Sequence, residues 1–181
     1  MRDSDSLSEA DDQRCWYLVG LRFDPQANSP EFYTAILCNG RDVALMVDGR
    51  LCFFKDPAIA TSVVNRFSPD TYAAERALGE ISGICDVAET LWLIDRGDID
   101  SNATVVNTIN ILLDLLYSLT LQIPEAHKHA LYSLADYCTF HRDITSFFNV
   151  GHLSRSDAKD SIRWCVAEIL TRSYFVESAL N

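Results

Sequence analysis

Hydrophobic and polar positions follow two different rhythms along this chain. From Cys15 to Phe54 the apolar runs are short and rich in aromatic and β-branched residues, and turn formers separate them. That is the pattern of strands. The predicted strands are Cys15 to Phe23, Phe32 to Cys38, Val43 to Val47 and Leu51 to Phe54. Asn39-Gly40 and Asp48-Gly49 lie between the last three, and both pairs tolerate the positive φ that a type I′ hairpin demands. Several runs lack clean alternation, so part of the sheet is expected to be covered on both faces.

Beyond Lys55 the rhythm lengthens to that of helices. Asp56 and Pro57 form an N-cap and first-turn signature that opens a short helix. Ser68-Pro69 repeats it before a longer helix running to about Arg96, with Ala74, Ala77, Leu78, Ile81, Ile84, Cys85, Ala88 and Trp92 on one face. A long apolar helix follows from Ala103 to Ile123. Its polar residues Asn107, Asn110, Asp114 and Ser118 fall on one narrow stripe, with Ala103 and Tyr117 beside it. Because the helix is apolar round most of its circumference, the stripe is expected to be buried and met by hydrogen-bonding partners. Pro124 opens another helix to about Phe148, with a stripe of His127, Leu131, Leu134, Ala135, Cys138, His141 and Arg142. Ser154 and Asp157 form a capping box for the last helix, which carries Ala158, Ile162, Cys165, Val166, Ile169 and Val176 on its inner face.

The expected fold class is α+β: a small antiparallel β-meander of about four strands, then one short helix and a bundle of four longer helices. Residues 1–14 read as a disordered acidic leader, 15–67 as the meander with the short helix, and 68–181 as the helical bundle forming one compact unit with the sheet.

Charge and cysteine content narrow the function classes. The 181 residues carry a formal net charge of -11, which argues against nucleic acid or an anionic membrane surface as partner. The best candidate for a membrane span is interrupted by Asn107, Asn110 and Asp114. Six cysteines occur with no C-x-x-C pair, and the first ten residues are polar and acidic rather than a signal sequence. Buried free thiols in a reducing, cytoplasmic setting are therefore expected.

Chemistry is thinly marked. Asp114 on the central stripe is expected to pair with Arg142 or His141 across the helix interface, since a buried carboxylate without a partner is costly. A ligand pocket there would use Asn107, Asn110, Asp114 and Arg142. A hydrolytic variant would set the Cys138 thiol beside His141, three residues on, with Asp114 as orienting group. Cys138 lies on the most apolar stripe of its helix, a poor setting for a thiolate. No metal is expected: His127 and His129 point to different sides of a helix, and a mixed site of His127, Cys138 and His141 has no other support. Asp98, Asp100 and Asn102 begin like a calcium loop, but Ala103 and Ile109 stand where glycine and glutamate are needed. Phosphate-binding and dinucleotide-binding glycine motifs are missing, so no cofactor is expected. Trp164 and Phe175, placed behind the core stripe of the last helix, suggest a second packing surface, either the sheet or a neighbouring subunit. The leading expectation is a protein-interaction or regulatory module with a protein partner, a second copy of the chain included. The alternative is a small-molecule or hydrolytic pocket around Asp114.

Overall fold

The computed structural model describes residues 15–38, 41–67, 80–97, 102–141, 143–151 and 153–177. Among them run seven strands and six helices. The expected leader, the Asn39-Gly40 turn, Ser68-Pro69 and the acidic loop at 98–101 lie outside the described residues. In chain order the elements are β1 (Cys15–Arg22), β2 (Phe32–Cys38), β3 (Asp42–Ala44), β4 (Met46–Val47), β5 (Arg50–Phe54), α1 (Pro57–Phe67), β6 (Ile81–Asp86), α2 (Val87–Arg96), α3 (Asn102–Ser118), α4 (Glu125–Phe140), α5 (Ile144–Asn149), α6 (Arg155–Thr171) and β7 (Ser173–Val176).

The antiparallel part follows from the turn chemistry. β1 pairs with β2 from Cys15↔Cys38 to Leu21↔Phe32. Asp48 and Gly49 take φ of 50° and 75°, the all-positive geometry of a type I′ turn, and they set Met46 opposite Leu51. The complete sheet, however, is mixed and larger than a meander. β6 adds to β1 in parallel, with Leu18↔Ile81 and Arg22↔Asp86 at the ends of its register. β7 adds to β5 in parallel from Leu51↔Ser173 to Phe54↔Val176. The stretch expected to be purely helical therefore supplies two strands to the sheet.

Each correction has a local cause. Residues 81–86 satisfy the helical spacing that Ile81, Ile84, Cys85 and Ala88 suggest, yet Ser82 and Gly83 favour a helix poorly and the edge of β1 is free to pair. The helix begins instead at Asp86, whose side chain accepts the Glu89 N–H as N-cap. The last helix ends at Thr171 because Ser173, Tyr174, Phe175 and Val176 find a strand partner. Phe175 thus sits on β7 and not on the helix with Trp164. The helix predicted from Pro124 to Phe148 is two helices. His141 is extended, and Asp143 caps a new start by accepting the Thr145 N–H at 2.9 Å. The box on α6 forms as read: Ser154 Oγ accepts the Asp157 N–H and donates to its carboxylate.

The sheet is covered on both faces, which explains the runs without alternation. Val19, Leu21, Ile36, Leu51 and Phe53 face the helical layer, where α3 contributes Val105, Ile109, Leu112 and Leu116. Trp16, Leu18, Ala35, Cys52 and Phe54 face the other way, onto Ala60, Val63 and Val64 of α1. Among the described residues no helix is long and apolar enough to cross a membrane.

The central helix buries less of itself than its composition implies. Asn107 and Asn110 are exposed, and Asp114 and Ser118 are half-buried. The polar stripe is the outer margin of α3 and not a seam inside the molecule. The buried polar residue is Thr108, on the opposite side, whose Oγ1 accepts the Asp86 N–H at 3.0 Å and whose carbonyl accepts from the Cys85 thiol.

Candidate functional site

Two concavities lie near strands β3 to β5, one polar and one apolar. The polar one opens where the C-terminal turn of α3 meets β3. Helical periodicity brings Asp114, Tyr117 and Ser118 to this margin, and β3 presents Asp42 and Val43 beside Arg41. Thr120 ends the helix in the left-handed region, at φ 53°, and with Leu121 completes a cavity of about 560 Å³.

Its electrostatics are dominated by unneutralised acid. Burial, reinforced by the negative charge of Asp42, pushes the Asp114 carboxyl up to about 6. Among the described residues Asp114 forms no ion pair. Asp42 is held by the Tyr17 hydroxyl, which donates to its Oδ2 at 2.8 Å. Burial and that hydrogen bond drive Tyr17 well above its ordinary range. At the exposed side the Tyr117 and Tyr132 hydroxyls lie 2.5 Å apart. Ser118 Oγ is fully engaged: it donates to the Asp114 carbonyl at 2.7 Å and accepts the Ala44 N–H at 2.8 Å. It ties helix to sheet and is not poised as a nucleophile.

The residues expected around Asp114 are not gathered there. The His141 carbonyl accepts from the Asn102 amide at the start of α3. Asp114 is twelve residues further along, about 18 Å at the rise of a helix. His141 is exposed, with its ring stacked on Tyr137 at 4.4 Å. Cys138 is buried, and burial pushes its thiol up to about 12, so it is no ready nucleophile at neutral pH. The arrangement of Cys138, His141 and Asp114 does not form. Asn107 and Asn110 share the outer face with Asp114 but lie two turns and one turn before the cavity. Arg142 lies outside the described residues.

The other expected positions are accounted for by packing. His127 Nδ1 lies 3.0 Å from Ser161 Oγ, and because that hydroxyl donates to the Asp157 carbonyl, the imidazole donates to it. Trp164 stacks on the same imidazole at 4.9 Å. Phe175 packs its ring against Phe32 and Phe53 at 4.9 and 5.7 Å, yet stays 41% exposed. Among the described residues no group of three or more His, Cys, Asp and Glu side chains is arranged to hold a metal.

The apolar concavity has no signature in the sequence, because one of its walls is a strand invisible in the local pattern. It occupies about 370 Å³ beside α1 on the opposite face of the sheet. Val47, Cys52, Phe54, Val63 and Val176 line it together with Tyr174, which remains 49% exposed, and Asp48 and Arg50 border the same space. Trp16 belongs to the same apolar layer, and among the described residues its buried indole N–H has no hydrogen-bond partner.

Comparison with known proteins bears on the fold. No family model matches the chain, and no curated protein matches it. Among solved structures it is similar to the SatS C-terminal domain, whose crystal structure is of a complex with bromine. The TM-score is 0.52 at 13% identity, over 91% of this chain and 94% of that domain. At that identity the likeness extends to the architecture alone: a mixed α+β fold.

Proposed function

We propose that this protein is a binding module that docks an apolar, extended segment of a protein partner in the groove between α1, β5 and β7. The observation that carries this reading is the uneven cover of the sheet. The helical face is closed by α3 and its neighbours, whereas the other face has, among the described residues, α1 alone. That leaves a lined apolar concavity with a half-exposed tyrosine at its margin. Such a groove beside a strand suits a polypeptide in extended conformation, whose alternate side chains enter the pocket. Tyrosine supplies contact area at small entropic cost and is favoured at the centre of interfaces. The net charge of -11 favours partners with basic residues flanking the apolar segment, and predicts association that slows as salt rises.

The test uses Trp16 as reporter in a Trp92→Phe, Trp164→Phe background. Peptides with an apolar core and lysine flanks are expected to shift its emission saturably. Tyr174→Ala should weaken that binding about tenfold or more, the range of an interface anchor. Peptides that leave the emission unchanged at every concentration would reject the groove. Self-association is the competing occupant, and concentration-dependent sedimentation that Tyr174→Ala abolishes would identify it.

A second reading rests on a separate observation, the unneutralised carboxylate facing the polar cavity. A small cationic ligand there would be held by Asp114 and Asp42 against the tyrosine hydroxyls. Its affinity would rise as pH increases through about 6 and would be lost in Asp114→Asn.

A further inference from the structure

Two cysteines stand apart from the other four. Cys52, Cys85, Cys138 and Cys165 are buried, whereas Cys15 and Cys38 are partly accessible. Those two are direct cross-strand partners at the end of the β1–β2 ladder. Residues facing one another across an antiparallel pair have Cα atoms about 4.5–5.5 Å apart, inside the roughly 4.4–6.8 Å that a disulfide spans. Their side chains leave the same face of the sheet. On its other side Cys38 faces Asp42 of β3 across the next strand pair, so the thiol stands between Cys15 and a carboxylate.

We propose that Cys15 and Cys38 form a redox modification site that closes into a cross-strand disulfide on reaction with a hydroperoxide. The two thiols have unequal roles. The Cys38 thiol is raised, first by the hydrogen bond to Asp42 and then by that carboxylate's charge. Cys15, one strand further from the Asp42 carboxylate, takes the attacking role. Its sulfur displaces alkoxide or hydroxide from the peroxide oxygen, giving a sulfenic acid, and the leaving group is protonated to alcohol or water. Cys38 sulfur then attacks Cys15 sulfur and forms the S–S bond. Asp42 takes its proton and passes it to the departing hydroxide, which leaves as water. Two thiols are oxidised by two electrons, and the peroxide O–O bond is reduced.

The experiment treats the full chain with hydrogen peroxide, counts free thiols and maps peptides without reduction. The protein is expected to lose two of its six thiols, to yield one peptide linking Cys15 to Cys38, and to recover both thiols with dithiothreitol. In Cys38→Ser the reaction should stop at a sulfenic acid on Cys15 that dimedone traps, with the melting temperature of the reduced form unchanged. Asp42→Asn should accumulate the same intermediate and close about tenfold more slowly. Six surviving thiols, a bridge to any other cysteine or between two chains, or preferential oxidation of Cys38 in Cys15→Ser would overturn the site. Undiminished closure in Asp42→Asn would overturn the proton transfer to Asp42.

Discussion

The two faces of one sheet solve the same problem differently. On the helical face α3 lays eight buried residues against the strands and its neighbours, and its polar side chains are pushed outward to the margin. On the other face the strands are no less apolar, with Trp16, Leu18 and Phe54 buried on that side, and the cover among the described residues is α1 with Ala60, Val63 and Val64. The thick side leaves a polar cavity at its rim and the thin side leaves an apolar one. Where a fold has spare helix, acid can be left at the surface. Where the described cover is a single helix, an apolar concavity remains beside it.

That contrast can be broken from the thick side first. Leu112→Ala, at a fully buried position of α3, should cost about 2–5 kcal/mol in urea unfolding. Val63→Ala on α1, beside the groove, should cost roughly half as much, about 1–2 kcal/mol for the lost methyl groups. Equal losses would mean that the two layers are equally well packed. Thr108→Val comes next, because it strands the Asp86 N–H next to the start of α2. A buried donor left without a partner costs about 1–3 kcal/mol, and hydrogen exchange at that amide should accelerate.

The third prediction concerns the margin and turns on sign. A carboxyl near 6 in the folded chain, against 3.8 ordinarily, binds its proton more tightly folded than unfolded. Stability attributable to Asp114 is thus fully present below about pH 4 and is lost as pH rises toward and through 6. At neutral pH Asp114→Asn should stabilise the protein, by about 1 kcal/mol once the half-exposed position is discounted for screening. It should also flatten the dependence of stability on pH between 4 and 6. Denaturant midpoints at pH 4.5 and 7.5 decide this, and sharp destabilisation by the substitution would restore an interior ion pair. The smallest effect is expected at Asn107→Ala and Asn110→Ala, within about 0.5 kcal/mol each, as befits exposed amides.

Much of this contrast can be read from the chain before any coordinates. Asp48-Gly49 sets the hairpin, the unalternating strands announce two covered faces, and Ser154 with Asp157 starts α6 where the box lies. The parallel strands are not legible, because Leu18↔Ile81 and Leu51↔Ser173 are pairings across long separations with no local signature. Asn107 and Asn110 read as buried only if an abundance of leucines means cover on every side. The narrow stripe was itself the sign of an outward face. The break after Phe140 was also available, since Asp143 stands before Ile144, Thr145 and Ser146 as an N-cap. The His127-to-Arg142 stripe concealed it. The groove followed β7 out of sight: without Tyr174 and Val176 on the sheet, nothing marks Val47 and Cys52 as its floor.

The late arrival of β7 has a consequence for biogenesis. β5 emerges from the ribosome more than a hundred residues before the strand that will flank it, a delay of roughly 6–25 seconds at 5–20 residues per second. Throughout that interval the edge of Leu51 to Phe54 that β7 will take stays open for pairing. A nascent chain stalled before Ser173 should therefore engage chaperones and misassemble far more readily than one that has passed Val176.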